Sequence, residues 1–156
     1  MKKFKKISLF MVLCISLMGL TGCGSKNIDG SLEDIMAKVY QDIPEDERPM
    51  LANTEINEEN IEYYLGTKDI EYTEALASEP MMGSIAHSVV LVRVEDNTDV
   101  EEVKTAIKEN VDTRKWVCVG VEKDDLIVKN KGNLIILIMV EDEATRNKLE
   151  EGFNNL

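Results

Sequence analysis

Apolar residues are arranged in two ways along this chain. The first is an almost wholly apolar block from Ile7 to Leu20; after it they recur in short periodic segments separated by polar, glycine- or proline-marked turns. Ser31, with Asp34 three residues on, is a capping-box variant that opens a helix carrying Leu32, Ile35, Met36, Val39 and Tyr40 at helical spacing, and Pro44 stops it near Ile43. Pro44 to Met50 reads as a polar loop. Asn57 opens a shorter helix with Ile61, Tyr64 and Leu65 on one side and Gly66 as its stop. Ile70 to Ala77 reads as extended. Ser84 to Glu95 reads as a central strand, apolar on both faces at Val89, Val90, Leu91 and Val92. Thr98 or Asp99 caps a helix through Asn110 whose buried side holds Val100, Val103, Ala106 and Ile107. Trp116 to Val121 and Leu126 to Val128 read as strand, interrupted at Lys123-Asp124-Asp125. A turn at Lys131-Gly132-Asn133 then leads into a buried strand, Leu134 to Val140, and a last amphipathic helix runs from Asp142 to Phe153.

At an offset of 46 residues, Val89 to Asp96 (VVLVRVED) aligns with Ile135 to Asp142 (IILIMVED), each a strand that ends in Glu-Asp and enters a helix. Extended backward, the match pairs the Ile70 to Ala77 strand with Trp116 to Val121. It thus offers two strand-strand-helix units, although chance similarity between two buried strands explains it equally well. The expected fold is α+β: an antiparallel sheet of about four strands with helices packed on one face, preceded by N-terminal helices.

The first apolar block follows Lys2, Lys3, Lys5 and Lys6 and ends in small residues, the order of a secretory signal. Its 14 residues fall short of the roughly 20 that a membrane-spanning helix needs. Leu20 occupies the position where an ordinary secretory cleavage site wants a small side chain. Leu20-Thr21-Gly22-Cys23 instead resembles the lipobox of bacterial lipoproteins. That resemblance implies a signal peptide over residues 1–22 and an acylated Cys23 as the new N-terminus, with residues 23–30 as a tether and 31–156 as one domain. Two or more acyl chains anchor stably, which places the domain on the outer face of the cytoplasmic membrane.

The chain has 18 basic and 30 acidic residues, a net charge of −12. Removal of the four signal lysines, with no acid lost, leaves 14 basic against 30 acidic residues, or −16. Such a field disfavours nucleic acid and favours a basic envelope protein or a cationic ligand. With Cys14 removed and Cys23 acylated, Cys118 is the one remaining thiol. Its apolar neighbours predict a small buried side chain and not a reactive nucleophile.

Candidate chemistry collects in Glu74 to Ser88, which holds Glu74, Glu79, Met81, Met82 and His87, the sole histidine. Glutamate and histidine can share a proton or a metal, and methionine pairs suit soft cations. A metal site nevertheless needs three or four ligands, and no second histidine exists, so no metal or cofactor is predicted. No serine lies in a Gly-x-Ser-x-Gly elbow. Arg114-Lys115-Trp116 is the second point of interest, basic and aromatic in an acidic chain; the alternatives are a stacking or anion site, or an indole that plugs the end of the core. Arg93 in a central strand would, if buried, need a carboxylate partner, for which Glu74 is a guess. A ligand-binding face of Glu74, Glu79, His87 and Trp116 is the reading these residues support, with a hydrolase or metal-dependent enzyme using His87 as the alternative.

Together, Glu79-Pro80-Met81-Met82-Gly83-Ser84-Ile85-Ala86-His87-Ser88 and Arg114-Lys115-Trp116-Val117-Cys118-Val119 resemble a family of uncharacterised Gram-positive lipoproteins that share a domain of unknown function. The resemblance covers about Asp34 to Met139 and implies an address without assigning any catalytic or binding residue.

Overall fold

The structure, a computed structural model, describes residues 27–156. The signal segment 1–22 and, of the tether, residues 23–26 with Cys23 among them lie outside the described residues. Strands β1 (Leu51–Glu55), β2 (Glu74–Pro80), β3 (His87–Arg93), β4 (Ile127–Lys131) and β5 (Leu134–Val140) form one sheet in the order β1-β2-β3-β5-β4, with every neighbouring pair antiparallel. Helices α1 (Leu32–Val39), α2 (Ile61–Leu65), α3 (Val100–Asn110) and α4 (Glu143–Asn154) complete the α+β fold. None of these helices is long and apolar enough to cross a membrane.

The two central strands explain the layering. β5 is buried at every position and β3 at all but Arg93, so consecutive side chains feed two separate cores on opposite faces of the sheet. Ala75, Ala77, Val90, Val92, Ile135 and Leu137 pack with Leu65 of α2 and Ile107 of α3. Their neighbours Leu76, Val89, Leu91, Ile136 and Ile138 pack with Ile35 and Val39 of α1 and Leu149 and Phe153 of α4. Helices therefore cover both faces, where one covered face was expected, and the sheet has five strands instead of about four. A sheet whose central strands are apolar on both sides needs two cover layers, and only two helix pairs supply them.

On each face a glycine lets two backbones touch. A Cβ on Gly152 would stand 2.3 Å from the Val39 carbonyl oxygen, and one on Gly66, whose φ is 76°, would stand 2.2 Å from Asn110. Side-chain caps set the helix starts. Ser31 Oγ accepts from the Asp34 amide at 3.2 Å, Asp99 from Glu101 and Glu102, and Asp142 from Thr145 at 2.7 Å.

Four stretches differ from expectation. α1 ends at Val39, with the turn through Ile43 outside the helix; β2 starts at Glu74 and runs to Pro80 where an extended segment from Ile70 to Ala77 was expected, and β3 occupies only His87–Arg93 of the expected Ser84 to Glu95. β1, in a stretch that carries no apolar alternation, pairs with β2 from Leu51↔Pro80 to Glu55↔Leu76. Trp116 to Val121 is not a strand. The Val121 amide bonds to the Thr113 carbonyl at 2.9 Å and closes a loop, the Val117 amide bonds to Gly83 at 2.8 Å, and Cys118 takes a φ of 61°. Trp116 and Val121 enter the core while Val117 faces out, and Cys118, expected to be buried, is exposed at the loop's crest.

The 46-residue similarity has a structural limit. Equivalent positions do face the helix that follows them: Val90 and Val92 face α3, and Ile136 and Ile138 face α4. The hairpin partners β2 and β4, however, lie on opposite outer sides of the central pair while the two helices lie on opposite faces. The β2-β3-α3 and β4-β5-α4 units are thus of opposite hand, and no rotation superposes them.

Candidate functional site

Where β2 passes into β3, alternate residues place two polar clusters back to back across the sheet. Glu79 and Ser88 point to the α2–α3 face. Ser88 Oγ donates to Glu79 Oε1 at 2.6 Å, and Lys115 Nζ reaches the same oxygen at 2.5 Å with side-chain exposures of 3% for the lysine and 14% for the glutamate. The closed loop after α3 delivers Lys115 into a wall of aromatic rings. Its ammonium lies 4.5 Å from the Tyr63 ring centre, 5.0 Å from Tyr64 and 5.5 Å from Trp116. Burial pulls the Lys115 ammonium below its ordinary pKa, and Glu79 pulls it back up. Tyr63 also donates to the free oxygen of Glu79 at 3.5 Å.

His87 points the other way. It is 3% exposed and shares a 2.7 Å hydrogen bond between Nε2 and the Tyr40 hydroxyl of the turn after α1. Burial lowers its pKa to about 4, so the ring is neutral at pH 7. Burial likewise pushes the Tyr40 hydroxyl up, against a hydrogen bond from Ser78.

The four residues singled out in the sequence therefore do not form one face. Glu79 and Trp116 come together through Lys115. His87 lies on the opposite side of the sheet, so the glutamate–histidine pair that would share a proton or metal is not formed. Glu74 sits at the far end of β2, where it pairs with Arg93 at 3.2 Å, as its candidacy for that role required. Among the described residues no three or more His, Cys, Asp and Glu side chains are grouped to hold a metal ion. Sequence reasoning missed Ser88, Tyr63 and the depth of Lys115. The signal for Lys115 was its place beside Trp116 in an acidic chain.

Two open clefts lie on the α1–α4 face. One of about 720 Å³ runs between α1 and β1, floored by Met36, Tyr40 and Leu51 and rimmed by Glu33, Asp46 and Arg48. The second, about 510 Å³, lies between the start of β3 and α4, with His87 in its wall beside Thr145 and Lys148.

The exposed large apolar side chains share one location. Met50, Tyr63, Met81, Met82 and Val117 are 49–76% exposed. The Met81 amide bonds to the Met50 carbonyl at 3.1 Å, the Val117 amide to Gly83, and Tyr63 to Glu79. All five thus surround the β2–β3 turn. At the other end of these strands, Asn27 bonds to Asp96 at 2.8 Å and to the Asn133 amide at 3.3 Å, and Arg93 bonds to the Gly30 carbonyl. The start of the described chain and the apolar patch therefore occupy opposite poles.

Residues 49–140 match the model of a family described as a domain of unknown function, DUF4358, a span running from the residues before β1 to the end of β5. Neither a curated protein nor a solved structure matches the chain. The family span exceeds half of the 156 residues, and the chain belongs to that family.

Proposed function

We propose that this DUF4358 protein is a lipid-anchored binding module on the outer face of the cytoplasmic membrane. In this reading it is held at Cys23 and engages an envelope protein through Met50, Tyr63, Met81, Met82 and Val117. The observation that carries the reading is the opposition of the two poles. An extended chain spans at most about 3.6 Å per residue, so the four-residue step from Cys23 to Asn27 keeps the Asn27 pole within roughly 14 Å of an acylated cysteine. The apolar side chains then face away from the bilayer. Contiguous exposed apolar surface is the usual mark of an interaction site, and methionine adapts its shape to a partner. The buried Glu79–Lys115 pair stiffens the platform beneath that surface. A hydrolytic role for His87 has less support, because its ring is bonded to Tyr40 and, among the described residues, no carboxylate is hydrogen-bonded or ion-paired to it.

Two measurements test the reading. Cys23→Ser is expected to abolish incorporation of labelled fatty acid into the protein and to leave its signal segment uncleaved. A photo-reactive residue at Met82 is expected to give a discrete adduct in cells, and the same residue at Glu95 on the Asn27 pole to give none. Labelled fatty acid retained by Cys23→Ser, or equal cross-linking from the two poles, would count against it.

A further inference from the structure

We propose that the open edge of β1 is a strand-addition site for an extended segment of a partner protein in which basic residues alternate with apolar ones. This rests on the binding-module reading and specifies how the partner docks. The hydrogen-bond parity of β1 identifies the free groups. The Ile56 amide bonds to Ala75 at 2.9 Å and the Met81 amide to Met50 at 3.1 Å. In an antiparallel ladder such pairs recur every second residue, so Ala52 and Thr54 bond inward to β2 and Leu51, Asn53 and Glu55 turn their amides and carbonyls outward. Asn60 donates to the Glu55 carbonyl at 3.0 Å. The remaining outward groups of Leu51 and Asn53 form the template of an unpaired strand edge.

The opposite edge of the sheet is defended. β4 carries Lys129, paired with Glu150, and Lys131, which donates to the carbonyls of Asn154 and Leu156 at 2.8 Å. Lysine on an edge strand is a standard guard against pairing. β1 has no lysine, arginine or proline between Leu51 and Glu55.

The flank of β1 gives the occupant its chemistry. Leu51 and Asn53 line the 720 Å³ cleft against α1. A strand added beside them would direct every second side chain toward that cleft. Of the carboxylates on the rim, Glu45 is paired with Arg48 at 3.4 Å, whereas Glu33 and Asp46 have no ion-pair partner among the described residues. A lysine or arginine of the incoming strand supplies that partner, in line with the net charge of −12.

The test measures binding of a fluorescent nine-residue peptide alternating valine and lysine to the full chain in detergent, by anisotropy, with a valine–glutamate peptide as control. The valine–lysine peptide is expected to bind at least about tenfold more tightly, roughly 1.4 kcal/mol. Asn53→Pro removes an outward amide that β2 does not use, a change an edge strand accommodates; it is expected to abolish binding. Glu33→Lys with Asp46→Lys, both on the surface, is expected to weaken binding by about fivefold or more. Equal binding of the two peptides overturns the proposal. So does unchanged binding by both variants, or a dimer that Asn53→Pro converts to monomer without any peptide binding, which would make a second copy the occupant. A failed peptide assay with the Met82 cross-link intact removes strand addition and leaves the module reading. Loss of the cross-link with peptide binding retained removes the module reading instead.

Discussion

His87 and Ser88 are adjacent in sequence, both buried, and belong to different kinds of polar interior. On the Ser88 side, a lysine and a glutamate are stabilised by each other and by aromatic faces, and the ion pair supplies most of what makes burial tolerable. On the His87 side two neutral groups share one hydrogen bond, and burial is tolerable because neither carries charge. One side is vulnerable to losing a partner. The other is vulnerable to gaining a proton.

The largest expected effect breaks the first cluster unevenly. Glu79→Ala leaves the Lys115 ammonium buried without a counter-charge and is expected to cost about 3–5 kcal/mol in denaturant unfolding. Glu79→Leu combined with Lys115→Met is expected to return stability to within about 1 kcal/mol of the parent, because a buried pair is worth little more than a well-packed apolar one. A double variant as unstable as the single would show that the pair contributes more than mutual compensation.

Next in size is the acid response of the second cluster. The His87 pKa is about 4 in the folded chain against 6.5 for the free side chain. Between those values the unfolded chain binds the proton and the folded chain does not, so stability falls as pH drops from 6.5 toward 4. The loss at the acid end is on the order of 3 kcal/mol. His87→Phe is expected to flatten that part of the profile in equilibrium unfolding at successive pH values; an unchanged slope would assign the acid response to other groups. The smallest effect is that of Tyr40→Phe, which deletes the neutral hydrogen bonds of that hydroxyl with His87 and Ser78 and is expected to cost about 1–2 kcal/mol at pH 7.

These clusters also show where the sequence was informative. The caps at Ser31 and Asp99, the left-handed stop at Gly66 and the apolar runs of β3 and β5 were legible because each depends on residues within one or two turns of itself. β1 was not legible. As an edge strand with four exposed positions among its five, it needs no apolar alternation, and only its pairing with β2 makes it a strand. The opposite error occurred at Trp116 to Val121, where valines and a tryptophan mimic a strand although the backbone closes on Thr113. Of the site, the approach of Glu79 to Trp116 was anticipated in part, and the pairing of Arg93 with Glu74 in full. Which face His87 and Glu79 would occupy depended on strand register, and so did the placement of Lys115 between two strands more than 25 residues earlier in the chain. Those distances in sequence carry no local signal.

The unequal edges of the sheet bear on crowding. Under the proposed lipid anchor, copies confined to a plane would meet far more often than in free solution, and sheets open at both sides can join end on end into growing fibres. Here Lys129 and Lys131 close the β4 side, so any edge-to-edge contact between copies has a single joint and stops at a two-fold couple. Polymerisation of this fold would require a second open side, and neutralising those two lysines is the shortest route to one.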